Sequence, residues 1–190
     1  MSSIVKRYDK LNISRREVQY YAKCSEMTPE VETIMNECIE EVAPLLQPQL
    51  CYSLIDRTTI ESFFEHATED SAFRAYMEGC DSAILFTATL GFGFDRLIAR
   101  HEKLSMAKAQ MLQAIGAQQV EELCDRFCAE MKELHPTSKP RYSPGFGGLS
   151  LTSQGLIFGL LQVPVKIGVS LNSSYLMSPS KSVSAFIAIR

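Results

Sequence analysis

No run of about 18 apolar residues, the length a membrane span needs, occurs anywhere in the chain. Its opening stretch, MSSIVKRYDKL, lacks the apolar segment and small-residue cleavage site of an export signal. Both absences point to a cytoplasmic protein with no membrane partner. Basic excess is missing too: 19 Lys and Arg stand against 22 Asp and Glu, a net charge of -3. A general grip on nucleic acid needs a basic surplus or stripe, so no nucleic-acid partner is expected. Six cysteines are present, at 24, 38, 51, 80, 124 and 128, but none forms a CxxC pair. Without an export signal they read as buried reduced thiols rather than disulfides or metal ligands. A phosphate loop of the form GxxxxGK[ST] is absent, and GFGFD at 91–95 does not satisfy GxGxxG. No catalytic triad or carboxylate pair stands out, so no catalytic residue and no metal ligand is assigned.

What the chain does contain is enough apolar residue, 46%, for a sizeable core. With 190 residues and no repeat, low-complexity tract or linker, it reads as one domain over 1–190. Residues 1–80 form a largely helical part, beginning with a capping box at Ser14-Arg15-Arg16-Glu17. Thr28 before Pro29 starts a second helix, to about residue 45, whose apolar positions recur at helical spacing. Residues 50–57 suggest a strand and 60–67 a short helix. In the part from 80 to 190, SAILFTATL (82–90) reads as a buried strand that turns through GFGFD into a helix from about Asp95. Gly116 is expected to separate that helix from a second with an apolar stripe, which His135-Pro136 ends. A helix over 156–161 stopped by Pro164, a half-buried strand at 166–171 and a last strand at 182–189 complete the pattern. Helices mixed with late strands make the class α+β.

One loop, RYSPGFGG at 141–148, departs from this regularity. Pro140 and Pro144 stiffen the backbone around Arg141. Gly145, Gly147 and Gly148 would let a ligand approach the main chain, and Phe146 offers a flat face. A guanidinium pairs two oxygens of a carboxylate or phosphate at once. The set suits a small zwitterion or nucleotide. On the residues alone, a plain structural turn with an exposed arginine is the favoured reading.

The stretch Arg141-Tyr142-Ser143-Pro144-Gly145-Phe146 resembles the R-x-x-x-G-Y signature of the S-adenosylmethionine-binding activation domain of cobalamin-dependent methionine synthase. The likeness continues through FGLLQVPVKIGVSLNSSYLMSPSKSVSAF. Upstream, ATLGFGFDRLIARHEKLSMAKAQMLQAIGAQQVEELCDRF is similar to the standalone form of that domain, a reactivation subunit found beside shortened synthases. SRREVQYY and the helix after Thr28 look like the standalone form alone.

This resemblance implies several helices around a mostly antiparallel sheet. It also implies a function: binding S-adenosylmethionine and presenting its methyl group for reductive methylation of cob(II)alamin on a partner. That partner would be a methionine synthase lacking its own activation domain, with a flavodoxin- or ferredoxin-type electron donor. By the same resemblance, Arg141 would pair with the methionyl carboxylate, and backbone around Ser143 and Gly145 would meet the ligand. Phe146, where the family has tyrosine, would supply a ring, and Glu122 would take the place of a ligand-contacting glutamate. The corrinoid belongs to the partner, because His66, His101 and His135 lack the D-x-H-x-x-G surroundings of a cobalt ligand. The chain departs from the family in having no histidine after His135 and no tyrosines beyond its closing strand. Two other readings stay open: an interaction module of the same fold that does not bind S-adenosylmethionine, and a nucleotide-binding enzyme using Gly91-Phe92-Gly93.

Overall fold

The uncharged run SAILFTAT becomes β3 (Ser82–Thr89), whose residues after Ser82 are all buried. A strand covered on both faces needs no polar alternation, and this one has none. The computed structural model describes residues 3–190. On one side β3 pairs antiparallel with β2 (Gln49–Asp56), on the other with the late strand Ser182–Ile189. A short strand, β1 (Ile4–Arg7), completes the far edge beyond β2. Numbered in chain order with the two-residue strands β4 (Ser170–Leu171) and β5 (Met177–Ser178), the late strand is β6, and the main sheet runs β1-β2-β3-β6.

Alternation along these strands divides the interior in two. Leu50, Ile84, Phe86, Ala88, Ala185 and Ile187 point into one core. There α1 (Arg15–Ala22), α2 (Pro29–Val42), α5 (Gly93–Leu104) and α6 (Met106–Leu134) supply the covering side chains. Cys51, Ile55, Leu85, Phe186 and Ala188 face the other core. It is roofed by α3 (Arg57–Ser62), α4 (Ala72–Met77), α7 (Ser153–Leu161) and α8 (Val163–Ile167). Fully buried Phe186 anchors this side, its ring 4.8 Å from Phe63 and 5.2 Å from Phe73. Burial of such a ring contributes about 3 kcal/mol. The α+β class and the helix-covered antiparallel sheet expected above are what the chain forms.

Local signals set the element starts. Ser14 accepts from the Glu17 amide at 3.4 Å and Thr28 from the Val31 amide at 3.4 Å, as N-caps do. Three expectations need correction. The break placed at Gly116 falls instead at Ser105, which caps α6 by accepting from the Lys108 amide. Gly116 lies inside α6, where a Cβ would come within 2.7 Å of the Lys181 side chain; the glycine admits a tertiary contact. Pro164 does not merely stop α7. It sits in the first turn of α8, where a proline lacks nothing, so most of the strand expected at 166–171 is helix and turn. Both β1 and α4 went unanticipated. All six cysteines are free thiols, and Cys38, Cys51, Cys80 and Cys124 are buried.

Beyond β6 the backbone adds one more pairing. Lys139 donates its amide to Ala188 O at 2.8 Å, and Tyr142 exchanges amide–carbonyl bonds with Phe186 at 2.9 and 2.8 Å. The residues between them, Pro140 and Arg141, are thereby held against the sheet edge beside α6.

Candidate functional site

Arg141 is carried by that edge segment towards α6, where its guanidinium donates to both Glu121 and Asp125. These two carboxylates are four residues apart, one helical turn, so they share a face of α6. Only 22% of the Arg141 side chain is exposed, against 40% of Glu121 and 68% of Asp125. Burial works against the charge on Arg141. The hydrogen bond to Asp125 and the nearby Glu121 outweigh it, so its pKa rises above the ordinary arginine value. Next to the guanidinium, the half-buried Cys128 thiol is pushed up by burial, with Arg141 pulling the other way. Tyr21, near the end of α1, has its phenol raised first by burial and then by Glu121, Glu17 and Asp125. Two carboxylates thus hold the Arg141 guanidinium, and the Tyr21 phenol feels the same pair.

The loop that follows is fixed from inside. Buried Tyr142 donates its hydroxyl to the carbonyls of Phe146 and Gly147, both at 3.0 Å. Gly145 donates to Leu149 O at 2.8 Å, and Leu149 to Phe146 O at 3.0 Å. A Cβ on Gly147 would lie 2.2 Å from the Tyr142 hydroxyl, and one on Gly148 2.8 Å from Ser71 and Thr68. Both glycines have positive φ. They are needed for close approach of the protein to itself, which differs from the ligand approach expected of them. Phe146, 71% exposed, leans edge-on against Tyr142 with ring centroids 5.9 Å apart.

Among the residues expected to form the site, Arg141, Ser143, Gly145 and Phe146 lie on this one loop. Ser143 is half-buried, and the Gly145 amide is already spent on Leu149. Glu122 is half-buried on α6, about 100° around the helix from Glu121, and takes no part in the Arg141 ion pairs. Glu121 and Asp125 were missed. The signal was present: both precede the half-buried Cys128 on the side of α6 flanking its apolar stripe. Linking them to Arg141 needed the tertiary pairing of Tyr142 with Phe186.

At Gly91-Phe92-Gly93 the turn is filled by protein. Gly91 donates to Thr89 Oγ1 at 3.1 Å, and a Cβ on Gly93 would meet Leu45 O at 2.6 Å. Asp95, in the first turn of α5, accepts from the Ser180 amide at 2.7 Å and from its hydroxyl. A phosphate would find this helix start occupied. No helix among the described residues is long and apolar enough to cross a membrane.

Neither the family models nor the curated proteins contain a match to this sequence. Solved structures do. The fold is similar to that of the MetH reactivation domain crystallised with AdoHcy, with a TM-score of 0.70 and 16% sequence identity. The superposition takes in 100% of this chain and 78% of that one. The chain therefore has the fold of a methionine synthase reactivation domain.

Proposed function

We propose that this protein binds S-adenosylmethionine beside Arg141. It then serves as a reactivation subunit for a cobalamin-dependent methionine synthase that lacks its own activation domain. The fold likeness supports this reading, and so does the Arg141 loop. The observation that carries it is the pairing of one guanidinium with the Glu121 and Asp125 carboxylates on a braced edge. An α-amino acid zwitterion is the ligand that can enter such a pair without stranding a charge. Its carboxylate takes the guanidinium while its ammonium takes the displaced carboxylates. Exposed Phe146 then offers a ring face to the sulfonium or the adenine, worth about 0.5–2 kcal/mol. Glu122, about 100° further round α6 than Glu121, would reach the ligand from the margin of the site.

These residues do the work of placement. Holding the methyl donor in one orientation replaces chance encounter with a high effective concentration. The methyl would pass as a cation equivalent directly to the partner's acceptor, the bond to that acceptor forming as the S–C bond breaks and the bonding pair staying on the sulfur of S-adenosylhomocysteine. The corrinoid on the partner supplies the methyl acceptor, and a flavodoxin- or ferredoxin-type protein supplies the electron.

Calorimetric titration with S-adenosylmethionine, alone and with the corrinoid-loaded synthase, tests the proposal. Binding should weaken at least about tenfold in Arg141→Ala, from loss of a charge-assisted contact of about 1.5–3 kcal/mol. Unchanged affinity removes Arg141 from the site. A second reading, an interaction module that docks on the corrinoid protein without the methyl donor, is favoured by the loop's packing on itself, since the Gly145 amide and the space beside Gly147 and Gly148 are already taken. Partner binding without any S-adenosylmethionine binding would select it.

A further inference from the structure

On α5, Arg96, Arg100 and Lys103 fall at i, i+4 and i+7 and are all exposed. That spacing stacks them on one face of the helix. Among the described residues none of the three joins a salt bridge, whereas Arg15, Arg57, Arg126 and Arg141 each do. Asp95, the carboxylate nearest in sequence, is committed to Ser180. Glu102 lies roughly a third of a turn off the stripe. Like charges one turn apart destabilise a helix. Here they persist without a salt-bridge partner among the described residues, in a protein whose net charge is -3.

Beside the stripe lies a hollow of about 330 Å³ lined by Leu45, Gly93, Arg96, Leu97 and Arg100. Leu45 is 39% exposed, and Leu104, on the same side of α5, is exposed as well. An apolar floor edged by unpaired guanidiniums has the composition of a protein interface, where an apolar anchor is ringed by charge. A nucleic-acid surface would instead extend the basic area and expose phosphate-spaced cations without that floor.

We infer that the outer face of α5 docks an acidic protein partner, its carboxylates on Arg96, Arg100 and Lys103 and an apolar side chain in the hollow. This surface is independent of the Arg141 loop and of the methyl-donor reading.

The test titrates isotope-labelled full-length protein with three probes: a short acidic peptide carrying a central Leu-Phe pair, its lysine counterpart, and a DNA duplex. Amide shifts should move along 92–104 with the acidic peptide, fade at high salt, and be absent with the lysine peptide. The double variant Arg96→Glu, Arg100→Glu should bind about tenfold more weakly, while the control Lys10→Glu, Arg16→Glu stays near the parent. Should the double reversal fail to melt like the parent, Arg96→Gln with Arg100→Gln replaces it and the same loss is expected. Shifts centred elsewhere, equal weakening in the control pair, or tighter binding of the duplex would each overturn the proposal.

Discussion

Gly147→Ala examines how far the Arg141 loop is fixed from inside. The added Cβ would sit 2.2 Å from the Tyr142 hydroxyl, far inside van der Waals contact, and at 3.0 Å from the Ala72 Cβ on its other side. The backbone there has φ of 49°, which an L side chain tolerates at about 1–2 kcal/mol. Tyr142 must also give up one or both of its 3.0 Å bonds to the carbonyls of Phe146 and Gly147. An abandoned bond of this partly buried kind costs about 1–3 kcal/mol. Together the loss is about 2–5 kcal/mol, and at about 2–4 °C per kcal/mol for a chain of this size the melting temperature should fall by at least about 4 °C. Tyr142→Phe, which removes the hydroxyl and the clash together, should cost only about 1 kcal/mol. Adding it to Gly147→Ala should then recover part of the loss. Thermal unfolding of the single and double variants measures this. A Gly147→Ala protein that melts within a degree of the parent would refute the reasoning, as would a double variant showing no recovery.

Glu41 accepts from Lys108 at 2.8 Å and meets His101 at 2.7 Å, and these partners, Lys108 foremost, lower its pKa. A depressed carboxyl stabilises the fold above its unfolded pKa, and that stability is lost as pH falls through the folded value. Glu41→Gln should therefore lower the melting temperature at neutral pH, and the difference should shrink below about pH 4. Burial pushes the Cys51 thiol up to about 12 and that of Cys38 to about 11. Both should resist iodoacetamide at pH 8 in the native protein and react on denaturation, read by mass spectrometry. Ser14→Ala removes the cap at the start of α1 and should cost about 1 kcal/mol in denaturant unfolding.

Much of this fold could be read from local chemistry. Capping residues at Ser14 and Thr28, the uncharged run at 82–89 and the apolar stripe of α6 each marked its element because each signal is local. What failed was context. Gly116 looks like a break until Lys181, 65 residues further on, is packed across it. Pro164 reads as a stop or as a first-turn residue depending on where Gln162 turns, and Gln162 is in the left-handed region. In the loop, the two prolines foretold a stiff arginine, but its partners are set by the Tyr142–Phe186 pairing, a contact across 44 positions that no periodicity encodes. For the same reason the glycines looked like room for a ligand, although Tyr142, Thr68 and Ser71 fill that room.

The deciding measurement is a crystal structure of the protein grown with S-adenosylhomocysteine. The carboxylate of the amino acid should accept from Arg141, its ammonium should face Glu121 or Asp125, and the purine or sulfur should contact Phe146. Density for the nucleoside at any other surface, with Arg141 still bonded to both carboxylates, would contradict a methyl-donor site at this loop.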